Sequence, residues 1–296
     1  IFPDEPGMAS AQLVKDELEK QHFQVDALNL FQQDEVPQDA DVIVIAGPIK
    51  QFAESEVGAL GRFLNKGGNV LAMLDPETNS GLEYLFADWN IRFNGDMVLE
   101  SHSSFVLTSS GLNRQSSVSF APTAAEYGDH MITKNFRFAT SFVKAQSLSK
   151  INEENMDSNI SELVYTSPNS WGETDFKMLF EENKASVDDA DTEGPTTLAM
   201  AIEKEDSVKT RMVVIGDSDF SADVYVSQAP GNMDFFLNIV SWLAEEEDLI
   251  SVRPKQPENR PLTMTMRQQK LTLFFLIILF PIVAVRLGIH VYMKRS

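Results

Sequence analysis

Helical and strand-like hydrophobic spacings alternate along the first third of the chain. Over Ser10–Phe23, Leu13, Val14, Leu18 and Phe23 recur at roughly helical spacing among charges, which predicts an amphipathic helix. Gln24–Leu30 reads as a strand, with Val25 and Ala27 in phase and Leu28 and Leu30 out of it. After a turn at Val36–Ala40, the run Asp41–Ala46 is β-branched without interruption, the pattern of a strand buried on both faces of a parallel sheet. It ends at Gly47-Pro48. Glu54–Lys66 returns to helical spacing through Val57, Leu60, Phe63 and Leu64, and Gly67-Gly68 is a preferred helix C-terminus. Asn69–Leu74 is a second buried strand, closed by Asp75-Pro76. This succession predicts an α/β fold with a doubly wound core. Such sheets receive ligands at the carboxyl ends of their strands, here Gly47-Pro48 and Asp75-Pro76.

Beyond this core the pattern weakens. Leu82–Trp89 predicts a short helix, Val98 to about Ser119 irregular strands rich in Ser and Thr, and Phe138–Leu148 and Leu163–Thr166 further strands. Glu181–Gly194 is acidic and reads as a solvated loop, with a divalent-ion site as the sharper alternative. Regular spacing returns with Thr197–Glu203 and Arg211–Ile215, an expected antiparallel pair, and with Asn232–Glu246, an amphipathic helix that buries Phe235, Phe236, Ile239, Val240, Trp242 and Leu243. The expected organisation is an α/β domain over 1–254, its core drawn from 1–90 and 195–254 around a β-rich region at about 91–194. A Pro-containing linker follows over 255–270 and a transmembrane helix over 271–293.

That last stretch has no acidic residue, and Phe274–Phe280 is apolar on every side, which predicts a bilayer span rather than a buried core helix. Leu271–Val285 alone covers about 22 Å of helix and reaches bilayer thickness only when extended to Met293. The extension takes in Arg286, which is costly against lipid and cheaper against a partner helix, and follows Pro281, a kink site. Pro281 and Arg286 are therefore the residues expected to contact a partner in the membrane. Bases flank both ends, so the positive-inside rule fixes no orientation.

The formal net charge is −20, and residues 267–296 hold five bases and no acid, so the acidic excess falls on the rest of the chain. Such a surface repels phosphate backbones and anionic headgroups, and nucleic acid is not an expected partner. Without cysteine there is no disulfide, thiolate metal site or cysteine nucleophile. The four histidines are scattered, no phosphate-binding loop or dinucleotide fingerprint occurs, and no metal or other cofactor is expected. Two segments carry chemistry. Asp217 and Asp219, in Gly216–Phe220 at a strand end, pair carboxylates that suit either a cation or the capping of a helical turn. Trp171 and Glu173, in Thr166–Asp175, have the composition of a sugar- or peptide-recognition loop or of an aromatic packed over a joint.

Taken in order, Val42–Pro48, Phe63–Gly68, Asp75-Pro76, Tyr127–His130 with Ile132–Lys134, Thr166–Trp171, Gly194-Pro195 with Leu198-Ala199, Val214–Phe220, Gly231-Asn232, Leu237-Asn238 and Trp242-Leu243 form a combination. With the apolar stretch behind them, they resemble the auxiliary component of ABC-2-type transport systems, the GldG-like gliding-motility family. The resemblance implies a flavodoxin-like or glutamine-amidotransferase-like core, the latter in fold only since no cysteine is present. It implies an extracytoplasmic (periplasmic) domain at the bacterial inner membrane, a further span ahead of Ile1, and no catalysis. The implied partners are an ABC permease, its ATPase and the lipid bilayer. Two other readings stay open: a membrane-anchored metal-dependent hydrolase using Asp217 and Asp219, and a sugar- or peptide-binding protein built on Trp171.

Overall fold

The computed structural model describes residues 10–108, 111–124, 126–152, 158–205 and 207–246, the single residues Ile250, Arg286 and Lys294, and, within 104–115, backbone alone. The chain divides into two compact units, Ile1–Val252 and Arg253–Ser296. The first unit opens with α1 (Gln12–Lys20), β1 (Val42–Ala46), α2 (Glu54–Asn65), β2 (Asn69–Met73), α3 (Glu83–Ala87) and β3 (Ile91–Phe93). A β-rich middle follows: β4 (Met97–Thr108), β5 (Gly111–Ser119), β6 (Thr123–Ala124), β7 (Glu126–Tyr127), β8 (Thr140–Ser141), β9 (Leu148–Lys150), β10 (Asn159–Tyr165) and β11 (Ser170–Glu173). The unit closes with α4 (Phe176–Glu181), β12 (Thr192–Glu193), β13 (Thr197–Glu205), β14 (Lys209–Ile215), α5 (Asp223–Gln228) and α6 (Pro230–Leu243).

The main sheet has eight strands, along the path β1-β2-β14-β13-β10-β7 with β9 and β3 joined beside β13. Alternation sorts its central side chains to two faces. Leu71, Met73, Val213 and Ile215 join Val14 and Leu18 of α1 and Phe235, Phe236 and Ile239 of α6 in one core. Val70, Ala72, Met212 and Val214 join Leu60 and Leu64 of α2 and Phe86 of α3 in the other. Helices thus cover both faces, which is why these strands read as unbroken apolar runs. Local signals set the helix ends: Glu56 accepts the Ala53 N–H at 2.8 Å, and Gly67, at φ +93°, carries the chain out of α2 while Gly68 N–H returns to Phe63 O at 3.0 Å.

The expected doubly wound, flavodoxin-like core is corrected by this topology. Among the described residues, parallel pairing is confined to β1 with β2 and β2 with β14. From β14 outward the sheet is antiparallel: β13 to β14, β10 to β13, β7 to β10. The structure is therefore a mixed α/β fold with several sheets. A hairpin returning β13 into β14 supplies the third parallel strand from the far end of the chain, where a doubly wound fold would use another crossover helix. The expected C-terminal transmembrane helix is not supported either: among the described residues no helix is long and apolar enough to cross a membrane. The stretch 271–293 lies, apart from Arg286, outside them.

Three further expectations change. Val98–Ser119 is a regular hairpin, β4 with β5, in a second sheet of order β12-β11-β4-β5. Gln24–Leu30 is not a strand; Phe23, Val25 and Leu30 pack on the two cores without joining a ladder. Phe138–Leu148 is mostly loop, because its N–H groups are spent elsewhere: Val143 donates to Asp217, Lys144 to Phe120 O and Gln146 to Gly216 O.

Candidate functional site

Three loops meet where β1, β2 and β14 end, because those strands run parallel and deliver their carboxyl termini to one edge. Each loop is tied to the next strand. Gly47 N–H donates to Met73 O, Leu74 N–H to Ile215 O and Gly216 N–H to Leu198 O, each at 3.0 Å. Gly47 adopts φ +52°, and a Cβ there would strike the Ser218 hydroxyl and lie 3.0 Å from Asp75 Oδ2. Only glycine lets the β1 loop pass this close.

Asp75 and Ser218 clasp the site. The Ser218 N–H donates to Asp75 Oδ1 at 2.6 Å and its hydroxyl to Asp75 Oδ2 at 2.7 Å. Asp217 points inward and is wholly buried. Its Oδ2 accepts the Val143 N–H at 2.7 Å and its Oδ1 the Asp219 N–H at 2.8 Å. Burial, and then the charge of Asp75, hold the Asp217 carboxyl well above the ordinary aspartate range, although both backbone donors pull it down. Asp219 is raised in the same way, by burial and by Asp75, with Lys144 opposing. The Tyr225 phenol is also raised, by burial and then by Asp219 and Asp217.

Two amides close the surroundings. Gln146 donates to Leu74 O at 3.0 Å and accepts the Gly95 N–H at 3.1 Å. Asn232, at the start of α6, accepts the Ser141 N–H at 2.9 Å and donates to Ser141 O and Phe220 O, both at 2.8 Å. Asp217 thus acts as a peg for the 140–148 segment. Among the described residues, no group of three or more His, Asp or Glu is placed to hold a metal ion. The chemistry this arrangement offers is a buried carboxyl with an elevated proton affinity, behind a Ser–Asp clasp.

Of the residues expected from sequence, Asp217 and Asp219 lie together here. Trp171 and Glu173 do not; they belong to β11 in the second sheet. Trp171 is buried with Met97, Leu99 and Leu179, and its indole N–H donates to Glu173 Oε2 at 3.3 Å. Glu173 is wholly buried and its Oε1 accepts the Asp175 N–H at 3.0 Å. The indole therefore serves a small core and presents no open ring face. Arg286 is an exposed helical residue of the second unit, and Pro281 lies outside the described residues. Sequence reasoning missed Gln146, took Ser218 only as part of the stretch that could cap a helical turn, and met Asn232 only within the family pattern. Gly47 and Asp75 were flagged as strand ends but not as partners, because their approach depends on strand order.

A family model described as an ABC-type uncharacterized transport system matches residues 4–239. None of the curated proteins compared with the chain matches it. Among solved structures, the mmIFT52 N-terminal domain superposes with a TM-score of 0.54 at 13% identity, covering 79% of this chain and 90% of that one. A ThuA-like protein from Bacteroides uniformis superposes with a TM-score of 0.42 at 14% identity, over 79% of this chain and 82% of that one. The first of these likenesses is one of fold.

Proposed function

The chain belongs to the family of auxiliary proteins of ABC-type transport systems, and from that premise we propose that it is a non-catalytic accessory subunit whose α/β domain binds the substrate or a partner beside an ABC permease and its ATPase. The observation that carries the reading is the family match over most of the folded unit, residues 4–239. The edge where β1, β2 and β14 end supports it. The clasped oxygens of Asp75 and the two oxygens of Asp217, each accepting one backbone N–H, hold loops together. That suits a preformed binding edge better than a hydrolase built on Asp217 and Asp219, which would need those oxygens for a cation or a water. We place the domain on the extracytoplasmic side of the bacterial inner membrane, since a chain of net charge −20 is repelled by an anionic cytoplasmic leaflet.

The test is affinity purification of the full chain from its native host at native expression after mild detergent extraction. Co-elution of a permease and an ATPase is expected; a clean monomer overturns the proposal. Protease accessibility in spheroplasts with an intact inner membrane against lysed spheroplasts checks the side of the membrane: cleavage only after lysis refutes the extracytoplasmic placement.

A further inference from the structure

At the opposite end of β14 lies a groove of about 350 Å³, near the lower end of small-molecule pockets. Strand rise puts it about 20 Å from Asp217, since Arg211 and Asp217 are separated by most of β14. His130, Asn159, Ser161 and Trp242 line it. At its base, Glu203 Oε2 receives two cations: Arg211 Nε at 2.9 Å and Lys209 Nζ at 3.1 Å.

The two cations are held very differently. Arg211 is buried, its guanidinium lies 4.7 Å over the Trp242 ring, and its Nη1 donates to Trp242 O at 2.5 Å. Lys209 keeps about a third of its side chain in solvent. Burial alone raises the Glu203 carboxyl, but Lys209 and Arg211 outweigh it and leave the group below the ordinary glutamate range. Glu203 is therefore a charged anchor shared by two cations, and the triad carries a net positive charge within a strongly acidic chain. The His130 ring stands edge-on to Trp242 at 4.8 Å, and His130 Nδ1 accepts the Ile132 N–H at 3.3 Å. The Asn159 amide and the Ser161 hydroxyl add neutral donors on the β10 side. Trp242 is buried with Arg211 over one ring face, so the indole offers no open face on which a sugar could stack.

We propose that this groove binds a small oxyanion ligand, a carboxylate or phosphate group, with Lys209 as its movable partner and Glu203 as the internal carboxylate that occupies Lys209 when the groove is empty. The ligand takes Lys209 away from Glu203, while Arg211 keeps Glu203 paired and the site neutralised. The exchange substitutes one charge-assisted bond for another, so binding depends on the neutral donors of β10 for its net gain.

The test is an NMR titration of the full chain that follows the Trp242 indole N–H, assigned by Trp242→Phe. Sodium acetate, inorganic phosphate and glucose are added separately at constant ionic strength set with sodium chloride. A saturating shift with acetate or phosphate is expected, and the tighter of the two identifies the ligand class. Lys209→Met weakens that binding by about tenfold, the loss of one charge-assisted bond. Glu203→Gln, which removes the internal competitor, strengthens it several-fold, the opposite sign from any unfolding effect. Failure of both anions to saturate, an equal response to glucose, or binding unchanged in both variants overturns the proposal.

Discussion

Replacing Gly47 by alanine tests the claim that the β1, β2 and β14 loops form one tightly fitted unit. Two costs arise. At φ +52° an L side chain is strained by about 1 kcal/mol. The new methyl also overlaps the Ser218 hydroxyl and sits 3.0 Å from Asp75 Oδ2 and 3.1 Å from Ser218 Cβ, an overpacking cost of about 1–3 kcal/mol. The single variant should therefore lose about 2–4 kcal/mol. Ser218→Ala removes the hydroxyl bond to Asp75 but keeps the backbone one, and half-buried as it is should lose about 1–2 kcal/mol. In the double variant the hydroxyl that the methyl would strike is gone. The combined loss should then fall short of the sum of the singles by about 1 kcal/mol. Urea unfolding of the full chain, followed by tryptophan fluorescence and read as midpoint and slope, measures all four corners of the cycle. Additivity within about 0.5 kcal/mol, or a Gly47→Ala loss below that figure, would refute the close approach.

Two other outcomes bear on the same architecture. The raised carboxyls of Asp217 and Asp219 mean that, between the ordinary aspartate value and their folded values, the native state binds more protons than the unfolded one, so stability rises as pH falls through the folded values. Asp217→Asn cannot titrate and should flatten the rise of the thermal midpoint as pH falls toward the ordinary aspartate range; an unchanged slope would show that the group is not raised. Trp171→Ala should destabilise the full chain by about 3–5 kcal/mol in denaturant titration, whereas a loss under about 1 kcal/mol would return the indole to a surface recognition role.

The elements that could be read from sequence are those whose pattern is local. β1 and β2 were visible because burial on both faces demands an uninterrupted apolar run, and α2 and α6 because their apolar stripes and ends are set within a few residues. β13 and β14 were legible as a hairpin. Nothing in Lys209–Ile215 announces that its other edge pairs in parallel with Asn69–Met73, more than a hundred residues away, so the doubly wound expectation failed on the other side of β14, where the β13 hairpin turns the sheet antiparallel. The site shows the same limit. Asp217 and Asp219 were recognisable as carboxylates at a strand end, but their partners, Val143 N–H among them, come from a segment whose alternation suggested a strand. Trp171 was read from its polar neighbours, and those neighbours turn their hydrogen bonds inward.

The segment from Thr140 to Lys150 has a mechanical consequence. It is anchored to the main sheet through Asp217, Asn232 and Gly216. It is anchored to the second sheet's first strand as well: Ala145 O accepts the Val98 N–H at 2.7 Å, and Ser147 donates from its N–H and its hydroxyl to the buried Asp96 carboxylate. A strap sewn to two layers cannot lift from one without loading the other. The amides of Val143, Gln146, Ser147 and Val98 should therefore exchange with solvent as a single cooperative block, which hydrogen exchange of the full chain would check. A pull on the β4–β5 hairpin reaches the ends of β1, β2 and β14 through that block. The hairpin is in that sense a handle on the loop edge.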